Sequence, residues 1–365
     1  MRLVVLGGGE SGVGTAILGK KKGYDVFVSD FGKIKDKYKQ VLTYYSIDWE
    51  DETHTEALIL NADVVMKSPG IPEKVAIVKK LVAKGIPVIS EIEFAAPFTN
   101  AVTIGITGSN GKTTTTMLTY HLLKSAGLNV GLGGNIGKSF AWQVAEENYD
   151  SYVLELSSFQ LDGIVNYKPH IAIITNISPD HLDRYDYKYE NYIDSKFRIT
   201  MNQTEDDYLI YDSDDEAIAT WLANNKTKAQ LIPFSLTKSV ETGAYIKNNI
   251  MEVSINQEEF KMETESMALE GKHKGNDYNE LMSLVREKVK AVICLGVDNK
   301  KIIDAFGNVV DIMIEVASMS DAVKMAKRIA EKGDTVLLSP ACASFDLFEN
   351  YEDRGNQFKQ SVQNL

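Results

Sequence analysis

The sequence has few of the residues that build disulfide or metal scaffolds. Cys294 and Cys342 are the only cysteines among 365 residues, and their spacing fits no metal-ligand pattern. No apolar run approaches the roughly 18 residues of a membrane-spanning helix. The formal net charge is -12, which disfavours a nucleic-acid-binding surface. With no secretory leader before the apolar run 2–6, we expect a reducing cytoplasm, no membrane and no nucleic-acid partner.

Short apolar runs alternate with helical patterns along the chain, which is typical of an α/β fold. The length predicts two or three domains, and the apolar fraction of 44% allows each to bury a core. The first domain ends near Glu93, and the sequence changes character again from Gly271. Strands are predicted at 2–6, 25–29, 62–66, 86–90, 101–104, 153–156, 171–175, 207–211, 291–295 and 335–338, and short antiparallel strands within 225–267. Helices are predicted at 75–84, 117–126, 138–147, 190–203, 278–288, 321–331 and 353–362.

The most informative segment is Gly105-Ile-Thr-Gly-Ser-Asn-Gly-Lys-Thr-Thr-Thr-Thr116, which lies between an apolar run and a helical pattern. Its glycines let backbone N–H groups approach phosphate oxygens, and the following helix N-terminus adds positive potential. Lys112 adds a charge, and the Thr113 hydroxyl can reach Mg²⁺. Ile106 stands where a strict Walker A pattern requires glycine. The segment is therefore predicted to be a variant phosphate-binding loop.

A second glycine-rich loop follows the first predicted strand. Gly7, Gly9 and Gly12 fit G-x-G-x-x-G, and Asp30 lies about twenty residues further on. This pattern indicates a Rossmann-type domain that binds a phosphate-bearing nucleotide. Taken alone it favours an NAD-dependent dehydrogenase.

Candidate metal ligands follow two other predicted strands. Glu155 ends one of them, and His181 lies between Asp180 and Asp183 after the other. Ligands gather at the carboxyl ends of parallel strands, so these side chains could hold Mg²⁺ beside a nucleotide. A capping glutamate and a solvated loop histidine are the alternatives. Lys196 lies on a predicted helix, where sequence alone favours a surface lysine.

The loop after the predicted strand 335–338 is a candidate for contacts to a small substrate. Ser339, Cys342 and Ser344 lie in it. Cys342 has no histidine partner in the sequence, so a thiol nucleophile is not expected. Tyr351 follows, and packing of a terminal helix is the simpler explanation of its ring.

Together these segments resemble the Mur ligases, the ATP-dependent amino-acid ligases of peptidoglycan synthesis. The loop 105–114, including Ile106, is similar to that family's phosphate loop. Further similar blocks, in the same order, are Gly134-Asn-Ile-Gly137, Glu155 to Gln160 and Asn176 to Asp183. The segments that resemble the members acting on UDP-N-acetylmuramoyl-L-alanine and D-glutamate are 7–12, 67–72 and 339–358.

The resemblance implies three domains: a Rossmann-like UDP-binding domain (1–93), a central P-loop ATPase domain with a parallel sheet (94–273), and an incomplete C-terminal Rossmann-like domain (274–365). It implies a monomer that uses ATP and Mg²⁺ and ligates D-glutamate to UDP-N-acetylmuramoyl-L-alanine through an acyl phosphate. The residues it implies for ATP are Gly108, Ser109, Asn110, Gly111, Lys112, Thr113 and Thr114. Those for UDP-substrate are Glu10, Ser11, Asp30, Phe31, Ser68 and Asn135, and those for D-glutamate are Lys274, Ser344 and Tyr351. Those for metal are Thr113, Glu155, His181 and Lys196, the last matching a lysine that the family carbamylates.

The resemblance also shows a departure between His273 and Lys274, where an internal block of the family is missing. The 92 residues 274–365 are few for a doubly wound domain of roughly 100–150 residues. Either residues are omitted from the sequence or the deletion is real. Omission is favoured, because a deletion would expose apolar surface.

Other functions stay open at this stage. A dehydrogenase leaves the loop 105–116 and His181 unexplained. Another Mur ligase, or a folylpolyglutamate-type ligase, would share the central motifs. A UDP-sugar-binding protein without turnover is favoured if the deletion is real.

Overall fold

The computed structural model describes residues 1–264, 282–296, 299–338, 347–348 and 351–365. The chain divides into two compact units, Met1–His273 and Lys274–Leu365. No helix in those ranges combines the length and the apolar character needed to cross a membrane.

The first unit begins with a five-stranded parallel sheet. Its strands are β1 (Arg2–Leu6), β2 (Asp25–Ser29), β3 (Asp48–Glu50), β4 (Val64–Lys67) and β5 (Val88–Ile89), in the order β3-β2-β1-β4-β5. The helices between and after them are α1 (Glu10–Lys21), α2 (Asp36–Tyr44), α3 (Glu56–Ile59), α4 (Ala76–Ala83) and α5 (Glu91–Ala95). Parallel strands joined by helices give the Rossmann-like arrangement that the sequence predicted, which is confirmed.

A nine-stranded sheet follows in the same unit. Its strands are β6 (Val102–Thr107), β7 (Val130–Gly134), β8 (Ser151–Glu155), β9 (Ile171–Ile174), β10 (Tyr208–Asp212), β11 (Gln230–Ser235), β12 (Gly243–Lys247), β13 (Ile250–Ile255) and β14 (Glu258–Glu263). Its helices are α6 (Lys112–Ser125), α7 (Phe140–Glu146), α8 (Ser158–Asp162), α9 (Tyr189–Phe197) and α10 (Glu216–Asn224). The strand order is β14-β13-β12-β11-β10-β9-β6-β8-β7. Antiparallel pairing is confirmed for β12–β14 but wrong for β11, which pairs parallel with β10 and β12.

The two faces of this sheet are covered differently. Tyr152, Leu154 and Ala172 belong to a large buried cluster that also includes residues of α7 and α9. On the opposite face Ile106 and Val153 belong to a small cluster against which α6 packs. The side chains alternate between the two faces because successive residues of a strand point in opposite directions.

Two buried glutamates of α5 join the first sheet to the second. Glu93 accepts backbone N–H groups of Val165 and Tyr167, each at 2.9 Å. Glu91 accepts the Ser139 hydroxyl at 2.5 Å and the Ala141 N–H at 3.0 Å. Burial raises the pKa of Glu91. These contacts hold α5 of the first domain against the segments that flank the central sheet.

The second unit is smaller. It contains α11 (Met282–Lys288), β15 (Ala291–Leu295), α12 (Lys300–Phe306), β16 (Ile312–Val316), α13 (Met319–Ile329) and α14 (Tyr351–Gln363), with β15 and β16 paired in parallel. The strand predicted at 335–338 is wrong, because these residues form no regular element. Leu337 is exposed and contributes to no sheet core.

Gly12 is required by the close approach of α1 to the first glycine loop. A Cβ at Gly12 would lie 1.8 Å from the Gly7 carbonyl oxygen, whereas a Cβ at Gly9 would meet nothing within 4 Å. We expect Gly12→Ala to lower the free energy of unfolding by about 2 kcal/mol through overpacking. Gly9→Ala, with an ordinary φ of -82°, should leave it unchanged. Urea unfolding followed by circular dichroism measures both, and equal midpoints for the two variants would contradict the prediction.

Candidate functional site

The phosphate-binding loop lies between β6 and α6, as the sequence predicted. Gly108 and Gly111 have φ values of +149° and +78°, which favour glycine. A Cβ at Gly108 would lie 2.0 Å from the Thr175 hydroxyl, so that position has no room for a side chain. The 14-residue α6 begins at Lys112, and its N-terminal N–H groups follow the loop directly. The loop therefore has the backbone form of an anion cradle.

The segment after β9 holds this loop in place. The Asn176 side chain accepts the Asn110 N–H at 2.9 Å and donates to the Asn110 carbonyl at 3.0 Å. The Thr175 hydroxyl donates to the same carbonyl at 2.6 Å. Ser109 accepts the Ser178 N–H at 2.9 Å. Asn176 and Ser178 belong to the block 176–183 that resembles the Mur ligases, but their contacts with the loop are seen only in the fold.

Two lysines converge on one carbonyl of the loop. The side-chain Nζ atoms of Lys112 and Lys196 each donate to the Gly108 carbonyl oxygen at 2.8 Å. Lys196 is buried, which contradicts its interpretation as a surface lysine. Burial, reinforced by the positive charge of Lys112, lowers the pKa of Lys196 to about 7. Near neutral pH much of Lys196 is therefore an uncharged amine.

Glu155 connects three elements at the carboxyl ends of the central strands. Its Oε2 accepts the Thr113 hydroxyl at 2.8 Å, and its Oε1 accepts the Asn135 amide at 2.8 Å. Glu155 is almost fully buried at the end of β8. The sequence predicted Thr113 and Glu155 as metal ligands, and the fold brings these two oxygens together beside the phosphate loop.

His181 lies in the segment after β9, at the start of the short helical turn 182–184. It has a φ of +50°, an exposed side chain, and a ring centroid 5.2 Å from that of Phe159. Among the contacts of the described residues, none joins His181 to Glu155 or Lys196. No cluster of three or more His, Cys, Asp or Glu side chains suited to a metal occurs in the described part of the chain.

Five of the six predicted UDP residues lie around the first glycine loop, whereas Asn135 follows β7 of the central sheet and contacts Glu155. Asp30 accepts the N–H groups of Gly8 at 2.6 Å and Gly32 at 2.8 Å, so its carboxylate closes the loop. Glu10 accepts the Tyr38 hydroxyl at 2.7 Å. Phe31 is 74% exposed.

Ser11 and Ser68 complete this group. Ser11 lies in the first turn of α1, and Ser68 follows β4. A Cβ at Gly7 would lie 2.5 Å from the Ser68 hydroxyl, which shows how closely the ends of β1 and β4 meet. The two serines are thus at the carboxyl end of the first sheet.

Sequence reasoning missed a polar group beside Phe31. The buried Ser29 hydroxyl lies 2.7 Å from both Glu50 Oε1 and His54 Nδ1. The His54 ring centroid is 5.7 Å from that of Phe31. The available signal was that Ser29 and Glu50 each end a strand of one parallel sheet.

Of the D-glutamate residues, Lys274 and Ser344 lie outside the described residues, and so does the side chain of Tyr351.

Three protein-family models match parts of this chain. The model described as MurD N-terminal domain matches residues 2–76, Mur ligase middle domain matches 106–286, and Mur ligase, glutamate ligase domain matches 266–342. The chain is similar to the UDP-N-acetylmuramoylalanine–D-glutamate ligase of Christiangramia forsetii, at 54% identity over 100% of this chain and 99% of that protein. It is also similar to the protein of that name from Bacteroides thetaiotaomicron, at 46% identity over 100% of both chains.

Solved structures support the fold. UDP-N-acetylmuramate–alanine ligase MurC from Thermotoga maritima has a TM-score of 0.51 at 16% identity, covering 100% of this chain and 99% of that chain. The Neisseria meningitides UDP-N-acetylmuramate:L-alanyl-gamma-D-glutamyl-meso-diaminopimelate ligase has a TM-score of 0.51 at 18% identity, covering 74% of this chain and 89% of that chain.

The alignment to one relative also gives the number of positions at which this chain has no residue. The alignment to the Christiangramia forsetii protein has 442 positions and this chain has 365 residues, so at least 77 positions (442 minus 365) have no residue here. The sequence passes from His273 directly to Lys274. The middle-domain and glutamate-ligase-domain matches overlap over 266–286.

Proposed function

The chain belongs to the Mur ligase family, and from this membership we propose that it ligates D-glutamate to UDP-N-acetylmuramoyl-L-alanine with ATP. The observation that carries this function is the 54% identity to a UDP-N-acetylmuramoylalanine–D-glutamate ligase over essentially both whole chains. The geometry agrees, because a held phosphate loop and a nucleotide-type glycine loop each follow a parallel strand in two joined sheets. A cytoplasmic location and a monomeric state belong to the same proposal.

The reaction has two chemical steps. The substrate carboxylate attacks the γ-phosphorus of ATP, the bond from that phosphorus to the β,γ-bridging oxygen breaks, and an acyl phosphate and ADP form. The D-glutamate amine then attacks the acyl carbon, loses a proton, and phosphate leaves from the tetrahedral intermediate. Phosphorylation is needed because a free carboxylate is a poor acyl donor to an amine, and the phosphate supplies the leaving group. Catalysis of the first step is mainly positioning and charge stabilisation.

The phosphate loop supplies that positioning. Backbone N–H groups of 108–114 and the N-terminus of α6 face the phosphates, and Lys112 compensates their negative charge. The clamp of Asn176 on Asn110 keeps the cradle preformed, so little reorganisation is needed during transfer.

Thr113 and Glu155 fit a Mg²⁺ ion. Their oxygens lie 2.8 Å apart, and Mg²⁺ typically takes one or two protein oxygens together with waters and phosphate oxygens. When bound, Mg²⁺ would neutralise charge on the transferring phosphate. Asn135 orients the Glu155 carboxylate from the other side. His181 and a carbamylated Lys196 are proposed for a second ion.

The first domain would hold the UDP part. The Gly7–Gly12 loop and the N-terminus of α1 suit a pyrophosphate. Phe31, with its exposed ring, suits contact with the uracil. Lys274, Ser344 and Tyr351 remain proposals for D-glutamate.

Phosphate release tests the function. We expect release from ATP only when both UDP-N-acetylmuramoyl-L-alanine and D-glutamate are present. L-glutamate, L-lysine and diaminopimelate in place of D-glutamate serve as controls for other ligases of the family. Intact mass should first show the chain at 40.5 kDa. A folded sample of that mass that releases no phosphate would overturn the proposal.

A second candidate is favoured by the missing 77 positions. A chain without them could bind the UDP-substrate through its first domain and not turn it over. Calorimetric binding of UDP-N-acetylmuramoyl-L-alanine without phosphate release would support this function.

A further inference from the structure

The strand order of the first sheet gives the direction in which a bound UDP would extend. In a Rossmann-type sheet the pyrophosphate binds at the glycine loop after the first strand, and an acidic residue after the second strand lies at the ribose. Here those positions are the loop Gly7–Gly12 and Asp30, and the order β3-β2-β1 puts β3 next. The base therefore belongs at the loops that follow β2 and β3.

The loop after β3 is tied to the loop after β2. The Asp30 N–H donates to the Glu50 carbonyl at 3.1 Å, and the Glu52 N–H donates to the Gly32 carbonyl at 3.1 Å. The Glu50 carboxylate also accepts the Thr55 N–H at 2.8 Å, which closes the second loop on itself. The two loops are thus held together where the base would lie.

A chain of hydrogen bonds determines which nitrogen of His54 carries the ring proton. The Ser29 hydroxyl lies 2.7 Å from both Glu50 Oε1 and His54 Nδ1. Burial would raise the pKa of Glu50, but hydrogen bonds from Ser29 and Thr55 outweigh it and lower that pKa, so Glu50 is a carboxylate that only accepts. The single hydroxyl proton of Ser29 therefore goes to Glu50, and His54 Nδ1 must donate to the Ser29 oxygen.

The other ring nitrogen of His54, Nε2, is consequently an acceptor when the ring is uncharged. No group of the described residues hydrogen-bonds Nε2, and the His54 side chain is only partly buried. The ring centroid of His54 is 5.7 Å from that of Phe31, with the ring planes at 44°, and Phe31 is 74% exposed. An aromatic ring and an available acceptor thus lie side by side at the place for the base.

We propose that His54 determines specificity for uracil by accepting the N3–H of the base at Nε2, while the Phe31 ring contacts the base. Uracil has a donor at N3, whereas cytosine has an acceptor there. With cytosine two acceptors would face each other and neither would be satisfied, which disfavours binding. The inference rests on the proposed binding of UDP by the first domain. It adds Ser29, Glu50 and His54, which the resemblance does not supply.

The test compares the binding of UDP and CDP by calorimetry at pH 8, where an imidazole is normally uncharged. The 365-residue chain is measured beside three variants whose fold is checked by circular dichroism. His54→Asn keeps a donor near the position of Nδ1 and removes the acceptor at Nε2. The longer side chain of His54→Gln can place its amide oxygen near the position of Nε2. His121→Asn, at an exposed position of α6, is the matched control.

We expect the unsubstituted chain and His121→Asn to bind UDP at least about tenfold more tightly than CDP. His54→Asn should lower this ratio of affinities about tenfold, and His54→Gln should lower it less. A residue that only shaped the loop would weaken both ligands equally and leave the ratio unchanged. In ¹⁵N NMR of the unsubstituted chain, His54 Nε2 should have the signal of an unprotonated nitrogen that shifts when UDP is added.

Three results would overturn this inference and leave the proposed function standing. They are equal affinity of the unsubstituted chain for UDP and CDP, an unchanged ratio in His54→Asn, and a protonated Nε2 at pH 8. A chain that binds neither diphosphate would instead overturn the inference together with the UDP-binding part of the proposed function.

Discussion

Replacing Lys112 by alanine is expected to lower turnover roughly 10³-fold, because it removes the charge next to the transferring phosphate. The Lys112 ammonium donates to the Gly108 and Ser109 carbonyls, at 2.8 and 3.1 Å, so it lies on the loop that we propose to cradle the phosphates. Lys112 is only partly buried, so folding should be nearly unaffected. Phosphate release under saturating substrates measures the loss.

Lys124→Ala is the matched control for this variant. Lys124 is an exposed lysine near the other end of the same helix, and its ammonium bonds the Tyr120 hydroxyl at 2.8 Å. Its removal should leave turnover within about twofold, because Lys124 is at the C-terminal end of α6 and the phosphate loop is at the N-terminal end. Affinity for UDP-N-acetylmuramoyl-L-alanine should be equal in both variants. A Lys112→Ala enzyme with near-normal turnover would remove Lys112 from the mechanism.

The parts of the site that were predictable are contiguous in sequence or lie at strand ends. The loop 105–116 is one uninterrupted segment, so its glycines, Lys112 and Thr113 predict the cradle directly. The resemblance implied Thr113 and Glu155 as ligands of one metal, and the place of Glu155 at the end of a predicted strand agreed with it. Their hydrogen bond confirms that the fold brings them together.

The parts that were not predictable depend on distant partners. Glu91 and Glu93 lie 48 and 72 residues from the groups they bind at Ser139 and Val165. Nothing local distinguishes them from surface glutamates. Similarly, alternation in β11 fits either strand direction, and only its neighbours decide it. Lys196 looked like a surface lysine because a single helical lysine carries no sign of what packs over it.

Replacing Lys196 by alanine is expected to lower turnover about 100-fold, with partial recovery in acetate. The resemblance implies that this lysine is carbamylated, which turns a cation into an anionic oxygen ligand. The amine nitrogen attacks the carbon of CO₂, an N–C bond forms, and a proton leaves the nitrogen. Acetate in the space left by the side chain would supply similar oxygens. Loss of a group that orients a metal ligand typically lowers metal affinity or activity by about 10–100-fold.

The environment of Lys196 suits this modification, since only the neutral amine reacts. Its pKa is lowered to about 7 by burial and then by Lys112, so the neutral form dominates above pH 7. An ordinary lysine at pH 7.5 would be neutral in roughly one molecule in a thousand. Carbamylation should therefore increase as pH rises through 7. The ¹³C NMR signal of protein incubated with ¹³C-bicarbonate measures it independently of turnover.

Two variants separate carbamylation from packing. Lys196→Met fills the same buried space without an amine, so it should lose turnover and gain nothing from acetate. Lys188→Ala removes an exposed lysine just before the same helix and should behave as the unchanged enzyme. Normal turnover in Lys196→Ala would remove this residue from the metal site. A loss that acetate does not reverse, in an enzyme indifferent to bicarbonate, would instead mean that Lys196 acts by holding the Gly108 carbonyl, and the phosphate loop would then be its only target.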